Sequence, residues 1–134
     1  MKKIVLGTAQ FSGNYGITKN KVKFTQNESH KILRTLISKN LNHLDTSIDY
    51  KKSLKRLNNF KFKNWQITTK IDPKNLDFSS EHNLYLSVEN QIELFKKNSS
   101  IKTIKNLLLR NSNIFLTSKD EDLFKLLKKI IKKN

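Results

Sequence analysis

The sequence predicts an α/β fold in which four strand-helix units lay their strands in one parallel sheet. Three observations carry that prediction. Four short apolar runs recur along the 134 residues, each is followed by apolar residues at helical spacing, and the connections between them are short. Such alternation implies a parallel sheet with right-handed crossovers.

Lys3 to Thr8 carries Ile4-Val5-Leu6 halted by Gly7, which predicts the first strand. The loop that follows, Ala9 to Lys23, holds Gly13 and Gly16 with Phe11, Asn14 and Tyr15. Two glycines and two aromatics after a strand suit a ligand pocket, although turn geometry alone also calls for the glycines. No GxGxxG or P-loop pattern is present, so a phosphate-cradling loop is not supported.

Thr25 with Glu28 fits a capping box, and Ile32, Leu33, Leu36 and Ile37 continue a first helix to about Lys39, where Asn40 ends it. Leu41 to Leu44 is a short buried strand ending at Asp45, with Leu41, His43 and Asp45 on one face and Asn42 and Leu44 on the other. Tyr50 to Phe60 makes a short second helix on Leu54 and Leu57. Asn64 to Ile71 is the third strand, with Trp65, Ile67, Thr69 and Ile71 opposite Gln66, Thr68 and Lys70, and Asp72-Pro73 ends it. Leu84, Val88, Ile92 and Phe95 place a third helix over about Glu81 to Lys97. Lys102 to Arg110, with Ile104 and Leu107 to Leu109, is the fourth strand. Ser118 and Glu121 then form a second capping box before a stripe of Leu123, Phe124, Leu127, Ile130 and Ile131.

Composition bounds the function. The length suffices for one domain with one modest core. The absence of cysteine excludes disulfides, thiolate metal sites and a Cys nucleophile. The opening Met1 to Gly7 begins like a signal peptide, yet its apolar run is too short, and no stretch approaches the roughly 20 apolar residues of a membrane span. A soluble cytoplasmic protein without a membrane partner is the expectation. The net charge of +16 asks for an anionic partner, but only Arg34, Arg56 and Arg110 among 27 basic residues are arginine. Specific readers of bases and phosphates lean on arginine forks, so nonspecific attraction of polyanions at low salt is expected, and no specific nucleic acid. His30, His43 and His82 show no metal-ligand spacing, so no metal site is expected. Trp65 and the eight phenylalanines read as packing residues.

Ligands of parallel α/β sheets sit beyond the C-terminal ends of the strands. Asp45, Lys70 and Arg110 end the second, third and fourth strands, and Tyr50 follows Asp45 on the next loop. A nearby ammonium favours a phenolate and so lowers a phenol's pKa from its ordinary value near ~10. In that arrangement Asp45 holds Lys70 charged, and Tyr50 protonates a carbonyl oxygen while a hydride arrives at carbon. The plainer alternative is a capping Asp and a packing Tyr.

Leu6-Gly7-Thr8-Ala9-Gln10-Phe11-Ser12-Gly13-Asn14-Tyr15-Gly16-Ile17 resembles the opening of bacterial aldo/keto reductases of the LGTAQFG type. The resemblance continues through Leu44-Asp45-Thr46-Ser47, Tyr50, Thr69-Lys70-Ile71 and Leu107-Leu108-Leu109. It implies the (β/α)4 half of a TIM-type (β/α)8 barrel and a catalytic set of Asp45, Tyr50 and Lys70. Arg110 stands where that family has its catalytic His, and Lys51 and Leu54 replace its Gly and Glu. Gln10 and Tyr15 are the candidate substrate-binding residues. The implied activity is NADPH- or NADH-dependent reduction of a small carbonyl substrate. A barrel of this type needs about 250 residues, so residues 1–134 are expected to form a single truncated domain without most of the cofactor site, which the family builds on later loops. Weak or absent activity alone follows, with a homodimer or a complementary chain closing the barrel. A catalytically inert remnant or scaffold is the alternative, and a nonspecific polyanion binder the third.

Overall fold

A computed structural model describes residues 4–13, 15, 24–116 and 120–133. Its elements are β1 (Leu6–Gly7), α1 (Gln26–Ser38), β2 (His43–Asp45), α2 (Lys51–Leu57), β3 (Gln66–Ile71), α3 (Glu81–Ser99), β4 (Asn106–Leu109) and α4 (Asp120–Lys133). The strands form one sheet in the order β1-β2-β3-β4, every neighbouring pair parallel. This is the α/β architecture that the alternation predicts.

Register sorts the side chains onto two faces. Leu6 pairs with Leu44, Leu44 with Ile67, and Thr69 with Leu107. These residues meet the helices, because a strand places alternate side chains on opposite faces. Leu44 and Ile67 pack with Leu33 of α1, Leu54 and Leu57 of α2 and Phe95 of α3 in one cluster. Ile71, Leu107 and Leu109 pack with Leu84, Val88 and Ile92 of α3 and Leu123 and Leu126 of α4 in a second.

The helices start where the capping chemistry places them. Thr25 accepts from the Glu28 backbone while the Glu28 carboxylate accepts from the Thr25 N–H at 2.7 Å, a complete capping box. Those hydrogen bonds hold the Glu28 carboxyl below its ordinary pKa. Asn40 ends α1 with a φ of 55°, a left-handed conformation that asparagine tolerates better than most residues. Ser80 caps α3 by accepting from the Asn83 N–H at 3.1 Å.

Several expectations shift. The strands are shorter than the apolar runs: β1 holds only Leu6 and Gly7, and Ile4 and Val5 are exposed. β4 begins at Asn106, just after the Lys105 N–H donates to the Ile67 carbonyl of β3 at 2.8 Å. Phe11 packs in the core against Phe24, with ring centroids 5.6 Å apart, and so does not line a pocket with Tyr15. Phe124 is 48% exposed while Leu126 is buried, so the buried stripe of α4 runs through Leu123, Leu126 and Leu127. His30, expected at the surface, is half-buried, with Nε2 3.1 Å from the Asn58 carbonyl and its ring edge-on to Phe60. Gly16 and the Ser118 cap fall outside the described residues. Among the described residues no helix is long and apolar enough to cross a membrane.

Leu44 is fully buried at the centre of the first cluster. Leu44→Ala is expected to cost about 2–5 kcal/mol in urea denaturation. On acidification, the stability that Glu28 contributes through its cap is present at neutral pH and lost as pH falls through its lowered pKa. Glu28→Gln should flatten that part of the pH-stability curve.

Candidate active site at the strand ends

The opposite face of the sheet is polar. His43 and Asp45 of β2, Thr68 and Lys70 of β3 and Asn106 of β4 share it, by alternation from the helix-facing positions. The His43 Nε2 lies 2.9 Å from the Thr68 hydroxyl, which also accepts from the Asn106 amide at 3.1 Å. One turn of pleat further on, the Lys70 ammonium donates to Asp45 Oδ1 at 2.5 Å and to the Thr46 carbonyl at 3.1 Å. The polar face of β3 is thereby satisfied along most of its length.

The loops around Asp45 are tied to its backbone. Thr8, fully buried beyond β1, donates from both its N–H and its hydroxyl to the Asp45 carbonyl, at 2.9 and 3.2 Å. The Ser53 hydroxyl of α2 donates to the Thr8 carbonyl at 2.7 Å. After β2 the chain turns through a Tyr50 N–H to Ser47 carbonyl bond of 3.1 Å, and Tyr50 becomes the N-cap of α2. That turn sets the Tyr50 phenol over the strand ends.

Tyr50 meets Tyr15 from the loop after β1. Their hydroxyls are 3.3 Å apart, and their rings pack edge-on with centroids 5.4 Å apart. Gln10, from the short 3-10 helix Ala9–Ser12, donates its amide to the Tyr15 carbonyl at 3.0 Å. The Tyr50 phenol is pushed up to about 12, by burial first, then by the hydrogen bond and charge of Tyr15 and the negative charge of Asp45; Arg110 pulls the other way. The expected lowering by Lys70 does not occur. Lys70 is spent on Asp45, whose charge opposes formation of a second anion.

Arg110 donates through Nη1 to Asp49 Oδ2, and Asp49 also accepts from the Ser47 hydroxyl at 3.2 Å. Sequence reasoning missed Asp49. Its signal was an acid on the loop beside Tyr50, facing an arginine that ends β4. It also left Asn106 unremarked, because one amide in an apolar strand carries no motif. All six sequence-predicted site residues thus gather at the C-terminal strand ends. Asp45 and Lys70 form one pair, Tyr50, Tyr15 and Gln10 a second group, and Arg110 joins through Asp49.

No protein-family profile matches the sequence, and no curated protein does. A crystal structure from Pseudomonas aeruginosa, described as an inferred aldo-keto reductase, matches over 96% of this chain and 51% of its own, with a TM-score of 0.66 and 19% identity. The fold is that of half an aldo-keto reductase chain. The chain spans about half the length of that protein, and the match extends to the fold alone. Carbonyl reduction by a nicotinamide dinucleotide needs a proton donor for the carbonyl oxygen and donors for the dinucleotide's two phosphates. Tyr50 fits the first need. Lys70 and Arg110 are each matched by a carboxylate, so neither brings an unneutralised charge to a diphosphate.

Asp45 and Lys70 are 34% and 21% exposed, between a surface pair and a buried one. A double-mutant cycle of Asp45→Asn and Lys70→Met should return a coupling of about 1 kcal/mol. The same cycle on Glu121 and Lys125, which are 79% and 70% exposed, should return almost none.

Proposed function

We propose that the strand-end cluster is the reacting half of a nicotinamide-dependent carbonyl reductase of aldo/keto reductase type, with Tyr50 as proton donor. The observation that supports this reading is the convergence of a neutral phenol and the Asp45–Lys70 pair on one end of a sheet with this fold. A phenol held above its ordinary pKa stays protonated at neutral pH but is a weaker acid than a free tyrosine, so its proton moves only as charge develops on the carbonyl oxygen. Bound NADPH or NADH supplies the hydride. Tyr50 gives its proton to the carbonyl oxygen as negative charge develops there, and Asp45 keeps Lys70 oriented beside it.

Arg110, with one N–H on Asp49, retains other donors for a carbonyl oxygen. Tyr15 and Gln10 border the place where a small carbonyl substrate meets Tyr50. The donors for the cofactor's phosphates come from outside these four units, in this reading from a second copy of the chain or a complementary segment that closes the barrel. Alone, the chain has weak but measurable activity.

A catalytically inert scaffold is the second reading. What favours it is that each strand-end cation is already matched by a carboxylate, as in a structural ion-pair network. Nonspecific polyanion binding stands third and rests on the +16 charge.

NADPH-dependent reduction of an aromatic aldehyde should fall at least ~100-fold in Tyr50→Phe, the range of general acid catalysis. Equal rates for wild type and Tyr50→Phe would reject the catalytic reading. Light scattering should show a dimer that NADPH strengthens; a monomer indifferent to NADPH would count against closure by a second copy.

A further inference from the structure

We propose that Tyr15 is the proton relay of Tyr50, its hydroxyl returning a proton to Tyr50 after Tyr50 has given its own to a carbonyl oxygen. The relay rests on the catalytic reading above. Three groups face the Tyr50 phenol: Asp45 from the end of β2, Arg110 beyond β4 and Tyr15 from the loop after β1. Lys70 of β3 stands behind Asp45 as its partner, and Asp49 behind Arg110.

Only Tyr15 suits the transfer. A guanidinium does not release a proton at any pH a protein tolerates, so Arg110 can donate hydrogen bonds but cannot relay. Asp45, as the carboxylate of an ion pair, has no proton to give, and Lys70 commits donors to it and to the Thr46 carbonyl. The Tyr15 hydroxyl accepts from the Tyr50 hydroxyl at 3.3 Å, a hydroxyl rotor can turn to donate once Tyr50 is a phenolate, and its residue is 46% exposed, in reach of water. Gln10 and the edge-on ring contact hold it there. A 3.3 Å contact is long for a hydroxyl pair, but bonds to a phenolate contract to about 2.5–2.7 Å. The contact tightens when charge appears on Tyr50.

The protons balance. The Tyr50 O–H breaks, and its proton goes to the oxygen whose carbon has taken the hydride from the reduced nicotinamide. The Tyr15 O–H breaks next and its proton restores Tyr50. Tyr15 takes a proton from water, so each carbonyl reduced consumes one proton of the solvent.

The chain holds three tyrosines, so Tyr85→Phe leaves this pair as the only phenols. Ultraviolet tyrosinate titration of that variant should show two separated steps, the later near pH 12, because the second phenolate forms beside the first. Adding Tyr15→Phe should leave one step, lowered by the share of the rise that Tyr15 contributes while burial and Asp45 still hold it above the ordinary phenol value. A single step unmoved from the later one would show that the hydroxyls are not coupled and would overturn the relay. In aldehyde reduction, Tyr15→Phe should lower kcat about tenfold, and Tyr15→His, with its own exchangeable proton, should recover most of it. Equal loss in both variants would make Tyr15 a packing residue only. A wild-type chain without activity, despite two coupled steps, would instead defeat the catalytic reading beneath the relay.

Discussion

The parallel register of β2 against β3 is the constraint on which the remaining structure depends. Leu44 opposite Ile67 turns both toward the helices, and the same register sets Asp45 beside Thr68, two residues before Lys70 on the same face. Strand side chains alternate, so a slip of one residue would send His43 and Asp45 into the helix-side core and Leu44 to the polar face. The cost of burying an unpaired carboxylate there makes the slipped state inaccessible. Hydrophobic burial on one face and the Lys70–Asp45 bond on the other select the same pairing.

That double requirement explains the polar face. In a closed (β/α)8 barrel the interior is packed in layers by bulky branched side chains. Here the corresponding positions hold His43, Thr68 and Asn106, joined across three strands by hydrogen bonds of 2.9 and 3.1 Å. The hydroxyl of Thr68 serves both neighbours, so the row satisfies itself without an apolar cover. Leu108, which pairs with Lys70, is 43% exposed on this face. The sheet is therefore held together from its helix side, while its other face contributes specificity of register rather than buried area.

The pattern made the helix side legible in the sequence and left the connections obscure. Leu84, Val88, Ile92 and Phe95 repeat at helical spacing and all four are buried on α3. Thr25 and Glu28 announced a capping box that forms in full. Asp45, Lys70 and Arg110 could be placed at strand ends because each follows an apolar run, and a strand's end needs only that run to be seen. Phe11 could not be told from a pocket residue, since its partner Phe24 lies across a loop without periodicity. The Asp49–Arg110 pair spans 61 residues and depends on the turn after β2, which no local propensity fixes. Phe124 was misplaced because adjacent apolar residues on a helix leave its phase open by one position.

Charge is distributed so that the strand ends and the outer surface obey different rules. Asp45 cancels Lys70 and Asp49 cancels Arg110, so these four groups sum to zero in a chain of net charge +16. The excess lies elsewhere, on exposed lysines such as Lys51, Lys52 and Lys55 of α2 and Lys128 of α4. Salt at about 0.15 M screens charges beyond roughly 8 Å, so attraction between those lysines and a polyanion fades under physiological conditions. Ion pairs partly shielded from water are screened much less. Near Tyr50 the balance is set by burial, Tyr15, Asp45 and Arg110, all of them apart from those lysines. The strong basicity of this chain and the chemistry of its strand ends are thus separable properties, carried by different layers of one fold.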